Sequence, residues 1–130
     1  MSGLSGLALT LVATVVGADM HTAAKVDLYT VPSGKVFYPV MTVIRDPSDS
    51  MAGGTDYDLG TGADADTWRQ AVDLSSMVVA DTDFMAVRGA DVTKYTECAA
   101  ADVFGIKVIT GTTADPCTAA IDLFGYLVDA

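Results

Sequence analysis

Basic residues are scarce in this sequence: seven Lys and Arg stand against seventeen acids, for a formal net charge of −10. A nucleic-acid-binding face neutralises phosphates with cations, and an anionic membrane surface attracts the same charges, so neither partner is expected. Histidine and cysteine are scarcer still, with one His, His21, and two Cys, Cys98 and Cys117. A zinc site takes three or four such ligands, and a hydrolytic triad sets a His between a carboxylate and a nucleophile. No Gly-x-Ser-x-Gly elbow accompanies His21. Gly53-Gly54 and Gly60-Thr-Gly62 lack the Lys and the following helix of a phosphate loop. No catalytic residue, cofactor or metal ligand is therefore expected, and the chain reads as a non-enzyme.

Glutamate is almost absent as well: sixteen of the seventeen acids are Asp, and the exception is Glu97. Glu favours helical faces, whereas Asp favours caps and turns. The first charged side chain is Asp19 and the first cation is Lys25. A secretory leader, which opens on positive charge, is thus a poor reading of the apolar N-terminus. Thr10 and Thr14 interrupt that stretch, which is also too short to span a bilayer as a helix. Cys98 and Cys117 fit no metal or redox spacing. They read as two partly buried thiols, with a disulfide as the alternative if strands carry them side by side.

What is present is apolar. Of 130 residues, 51% are hydrophobic and only 18% charged, enough for one domain with a real core and a hint that further surface is covered by partners. Strand signals recur with turn residues between them. Residues 7–16 place Leu7, Leu9, Leu11, Ala13 and Val15 on one face, and residues 25–31 form a second strand. Pro32-Ser33-Gly34-Lys35 is a turn. Residues 36–45 are apolar on both faces, as in a strand covered on two sides, and Pro39 predicts a bulge or an edge there.

Short runs follow at 55–59, 67–73, 77–80, 83–88 and 94–98, then longer ones at 104–110 and 118–128. In the last, Ala119, Ile121, Leu123 and Leu127 share one face, and Thr118 and Asp122 share the other. The best helix candidate, Ala63–Leu74, alternates as well as any strand. Eight or nine strands predict an all-β, single-domain, two-sheet β-sandwich, jelly-roll-like, spanning 25–130 and preceded by an N-terminal arm or first strand at 1–24.

Two groups invite a binding role. Asp46, Asp49, Asp56, Asp58, Asp64 and Asp66 cluster in sequence, and calcium prefers such oxygen ligands. Their spacing is not that of an EF-hand loop, so solubilising turn residues are the plainer reading, with a glycosidase-type carboxylate pair as a third. Trp68, Tyr57, Tyr29 and Tyr38 could stack on a sugar or anchor a core or interface.

Three segments carry a resemblance. They are Leu28-Tyr-Thr-Val-Pro-Ser-Gly-Lys35, Ile44-Arg-Asp-Pro-Ser-Asp-Ser-Met-Ala-Gly-Gly-Thr-Asp-Tyr-Asp-Leu-Gly-Thr-Gly62, and Phe104-Gly-Ile-Lys-Val-Ile-Thr-Gly-Thr-Thr-Ala-Asp115 with Ile121-Asp-Leu-Phe-Gly-Tyr126. Over residues 25–128 the chain resembles small virion structural proteins of tailed bacteriophages, of the head decoration or capsid cement class. The resemblance implies a jelly-roll-like homo-oligomer, usually a trimer, on the outside of the capsid. There it bridges major capsid protein subunits, after assembly in the host cytoplasm. A carbohydrate- or receptor-binding module of a virion is the alternative. Candidate interface residues are Leu7, Leu9, Leu11, Val15, Phe37, Tyr38 and Met41, on the N-terminal arm and the two-faced strand. The arm could add a strand to a neighbour's sheet edge.

Overall fold

The computed structural model describes residues 8–79, 83–90 and 97–130. Among them are eight strands and no helix: β1 (Thr10–Asp19), β2 (Lys25–Thr30), β3 (Lys35–Arg45), β4 (Asp56–Thr61), β5 (Arg69–Val72), β6 (Phe84–Val87), β7 (Val103–Thr110) and β8 (Thr118–Asp129). They form two four-stranded sheets, in the orders β1-β8-β3-β6 and β2-β7-β4-β5. Each strand counted from the start pairs antiparallel with its counterpart counted from the end. The chain is one long hairpin, rolled so that β3 also pairs β8 and β4 also pairs β7. This is the eight-stranded jelly roll, a two-sheet sandwich.

Local chemistry sets the corners. At the β2–β3 turn the Lys35 amide donates to the Pro32 carbonyl, with Gly34 at φ 77° in the third position, where a side chain would be strained. The register to β8 shifts between Pro39 and Met41, the bulge expected at Pro39. Gly125 lies opposite; a Cβ there would collide with the Tyr38 carbonyl and the Phe37 ring, so only glycine allows the close approach.

The core fills the space between the sheets. Phe37, Tyr57, Leu59, Trp68, Phe104 and Leu123 are almost completely buried. A chain of edge-to-face aromatic contacts runs through it: Tyr29 to Phe37 at 5.3 Å, Phe37 to Phe104 at 6.5 Å, and Phe104 to Trp68 at 5.6 Å. The Tyr57 hydroxyl donates to the Met20 carbonyl at 2.8 Å. Cys98 and Cys117 are both buried free thiols. Burial, followed by the nearby Asp102 and Glu97 charges, pushes the Cys98 thiol up to about 12, which leaves it unreactive.

Two expectations change. The run at 67–73 is the strand β5, shortened to Arg69–Val72, and the helix alternative at 63–74 does not form. The run at 77–80 is not a strand over its described residues. Met77 instead closes a turn onto the Leu74 carbonyl and accepts from the Met51 amide. Of the run at 94–98, residues 94–96 lie outside the described residues, and Cys98 makes an isolated bridge to Phe37.

Two substitutions probe the core in opposite directions. Phe104→Ala removes the centre of the aromatic chain and is expected to cost about 3–5 kcal/mol in urea unfolding. Thr42 is fully buried on β3, and its hydroxyl finds no partner. The nearly isosteric Thr42→Val is expected to stabilise by about 1 kcal/mol; destabilisation would show that the hydroxyl is satisfied.

Candidate interaction surface

The two outer faces of the sandwich differ in chemistry. On the β2-β7-β4-β5 sheet the cross-strand neighbours include Lys25 with Lys107, Lys107 with Asp58, and Asp27 and Gly60 each with Gly105. Lys107 also reaches Asp64 at 3.4 Å. At these positions that face is charged or bare backbone, with Ile109 on β7 as its exposed apolar side chain at 42%, so it is the more polar of the two.

The outer face of the β1-β8-β3-β6 sheet is built otherwise. Residues directly opposite in an antiparallel pair share a face, so the register reads off its rows. One row crosses all four strands as Leu11, Phe124, Met41 and Val87. The next runs Thr14, Asp122, Val43 and Met85. Beyond Phe124, Tyr126 pairs with Tyr38 and Val128 with Val36. Met85 is 60% exposed, Leu11 49% and Val87 46%; the others are half-buried by one another. Fully covering one such side chain contributes about 1.5–3 kcal/mol, and much of that is unrealised in the isolated chain.

One polar group interrupts this face, and within it Arg45 and Asp122 neutralise each other. Arg45 Nε donates to Asp122 Oδ2 at 2.9 Å and Arg45 Nη1 to Asp46 Oδ2 at 2.8 Å, while the Thr14 hydroxyl donates to Asp122 Oδ1 at 2.8 Å. Arg45 first, and Thr14 after it, hold the Asp122 carboxyl below its ordinary value. The charged pair joins β8 to β3 and the hydroxyl joins β8 to β1.

The expected interface residues separate. Tyr38 and Met41 lie on the apolar outer face, as does Leu11. Leu9 is exposed just before β1, and Leu7 lies outside the described residues. Val15 pairs with Ile121 and packs against the core. The cause is a bulge between Leu11 and Ala13, whose extra residue moves the side chains after it, as far as the second bulge at Val15/Ala18, to the other face. Phe37 is completely buried between Tyr29 and Phe104, so it is a core residue and contributes no surface. Phe124, Tyr126, Met85 and Val87 were not anticipated. The first two share parity with Asp122 on β8, and following that face past Asp122 would have found them.

The other candidate sites dissolve. Asp64 meets Lys107, Asp66 accepts from Gln70, and Asp46 holds Arg45. Asp58, only 9% exposed, accepts from the Ala71 amide, and desolvation raises its pKa. No group of three metal-ligating side chains occurs among the described residues. Trp68 and Tyr57 belong to the core, Tyr29 packs against it, and only Tyr38 faces outward; the four form no sugar platform. His21 donates from Nδ1 to the Thr112 carbonyl at 2.6 Å, and its Nε2 lies 3.6 Å from Asp115.

No protein-family model matches the sequence, and no curated protein matches it. The fold, however, recurs in solved structures. A chain in the capsid of Ralstonia phage GP4 superposes with a TM-score of 0.60 at 13% identity, over 97% of this chain and 86% of that one. One in the cyanophage Pam1 capsid asymmetric unit gives 0.58 at 16% identity, over 95% and 85%. One in the acidic stable capsid of Helicobacter pylori bacteriophage KHP30 gives 0.54 at 9% identity, over 95% and 98%. The shared property is the fold, kept over nearly whole chains.

The Asp122 hub makes a pH prediction. Its carboxyl is held below the ordinary value, so its stabilisation is complete above about pH 4 and is lost as the pH falls through the lowered value. Asp122→Asn is expected to lower the urea midpoint most near neutrality, with the gap to the unmodified chain closing in acid. A gap that persists unchanged in acid would contradict the assignment.

Proposed function

We propose that the chain is a non-enzymatic structural protein of a bacteriophage virion, of the decoration or cement class. In this reading it sits on the capsid surface as a homo-oligomer and bridges major capsid protein subunits. The observation that carries the reading is the apolar outer face of the β1-β8-β3-β6 sheet on a chain whose other outer face is the more polar one, with Lys25, Asp27 and Lys107. A sandwich that worked alone would leave that face polar. The whole-chain likeness to chains in three phage capsids supports the same reading, as does the acidic charge, which keeps the subunit from the packaged DNA. Three copies per oligomer is the number the sequence resemblance implies. The N-terminal segment 1–24 is read with it as a first strand, β1 packed on β8, that adds contacts of its own to those of the 25–130 body.

The face acts by area, not by catalysis. Covering Met85, Leu11, Val87 and their half-buried neighbours supplies the hydrophobic gain, and Tyr38 and Tyr126 supply rigid aromatic anchors of the kind that dominate interfaces. Arg45 and Asp122 neutralise each other within the sheet, so covering them leaves no charge of one sign unpaired, although it still costs desolvation.

Mixing the purified chain with undecorated heads of its own virus tests the reading. Saturable attachment is expected, with added resistance of the heads to heat or chelation. Tyr126→Lys is expected to weaken attachment by at least about ten-fold, the loss of roughly 1.4 kcal/mol, while the chain stays folded. No attachment by the unmodified chain, or attachment indifferent to Tyr126→Lys, would overturn it.

A further inference from the structure

A jelly roll leaves four sheet edges, and unpaired backbone groups on an edge are a template for another strand. Three of the four are guarded here. β5 has four residues, opens on Arg69 and holds Ala71 at a positive φ of 57°. β6 has four residues, flanked by Asp83 and Arg88. β2 has six and carries Lys25 and Asp27. β1 differs: it has ten residues, no proline, and no charge before its last residue, Asp19. Val16 on it is 79% exposed, and among the described residues β1 is hydrogen-bonded in the sheet to β8 alone. Two bulges, at Leu11/Ala13 and Val15/Ala18, and Gly17 at a positive φ of 77° blunt it in part.

We infer that the free edge of β1 pairs antiparallel with β1 of a second copy of this chain, about a two-fold axis. Charge selects the occupant. Two molecules that each carry −10 repel unless they meet where neither is charged, and residues 8–18 carry no charged side chain. Antiparallel pairing places the two Asp19 residues at opposite ends of the joint ribbon, whereas parallel pairing would set them side by side. The same surface meets itself, which is the isologous contact a two-fold produces. Such a contact cannot close a three-fold ring. In a trimer, β1 pairs would link one ring to the next. The pairing needs only a second copy, so it stands or falls apart from the capsid reading.

The test uses the full chain alone. Sedimentation equilibrium is expected to show concentration-dependent association, weakened at least about ten-fold by Val16→Lys. Ser76→Lys, the same charge change in an exposed turn outside both sheets, is expected to leave it unaltered, and thermal melts check that both variants fold. Single cysteines are then placed at the exposed positions Thr10, Leu11, Thr14 and Val16, against a background of two buried thiols. A two-fold pair cross-links strongly at the position beside the axis and weakly at those far from it. Three results would overturn the inference: a chain monomeric at every concentration, association indifferent to Val16→Lys, or no self-cross-linking at any of the four positions. A monomer whose attachment to heads is nevertheless abolished by Val16→Lys would assign the edge to a capsid segment instead.

Discussion

A two-layer sandwich covers one face of each of its sheets, and in this protein one sheet is apolar on both. Everything else follows from that mismatch. The inner face of β1-β8-β3-β6 supplies Phe37, Ile44, Ile121 and Leu123 to the core. Its outer face carries Leu11, Tyr38, Met41, Phe124, Tyr126 and Met85, side chains that a solitary fold would replace with charge. The second sheet is closer to the ordinary rule, with Lys25, Asp27 and Lys107 outward and Ile109 as its exposed apolar side chain. The asymmetry gives the molecule one more polar side and one more apolar side.

The topology explains how so small a chain presents such a face. Because the chain folds as one rolled hairpin, its long strands β1, β3 and β8 lie next to one another in a single sheet. Their ten to twelve residues each form a broad platform, and the short β6 completes its edge. Arg45, Asp122 and Thr14 tie the three long strands together on the outside. The polar group that interrupts the platform thus also holds its strands in register, with the Asp122 charge matched by Arg45.

Much of this was legible in the sequence, where local chemistry decides. The Pro32–Lys35 turn, the bulge at Pro39 and the two-faced character of residues 36–45 followed from residue type and alternation. The all-β class followed from Asp in place of Glu and from evenly spaced turns. What escaped depends on residues far apart in the chain. Alternation counted along β1 put Leu11 and Val15 on one side, and only pairing with β8 reveals the bulge that separates them. Phe37 looked like an interface residue because both faces of its strand are apolar; the partners across the sandwich, Tyr29 and Phe104, decide which face is inside. The outer row of β8 was within reach, since Phe124 and Tyr126 fall on the same alternation as Asp122.

The central claim, that the outer face of the β1-β8-β3-β6 sheet is covered in the working assembly, is tested most directly by oxidative footprinting of the free chain against the same chain in its assembled particle. The account predicts strong protection of Met85 and Met41 on assembly. Met51, buried in the fold, should react little in either state, and Lys25 and Lys107 on the opposite face should remain as accessible to a lysine-directed probe as before. Met85 that oxidises equally fast in the particle and in the free chain would contradict it.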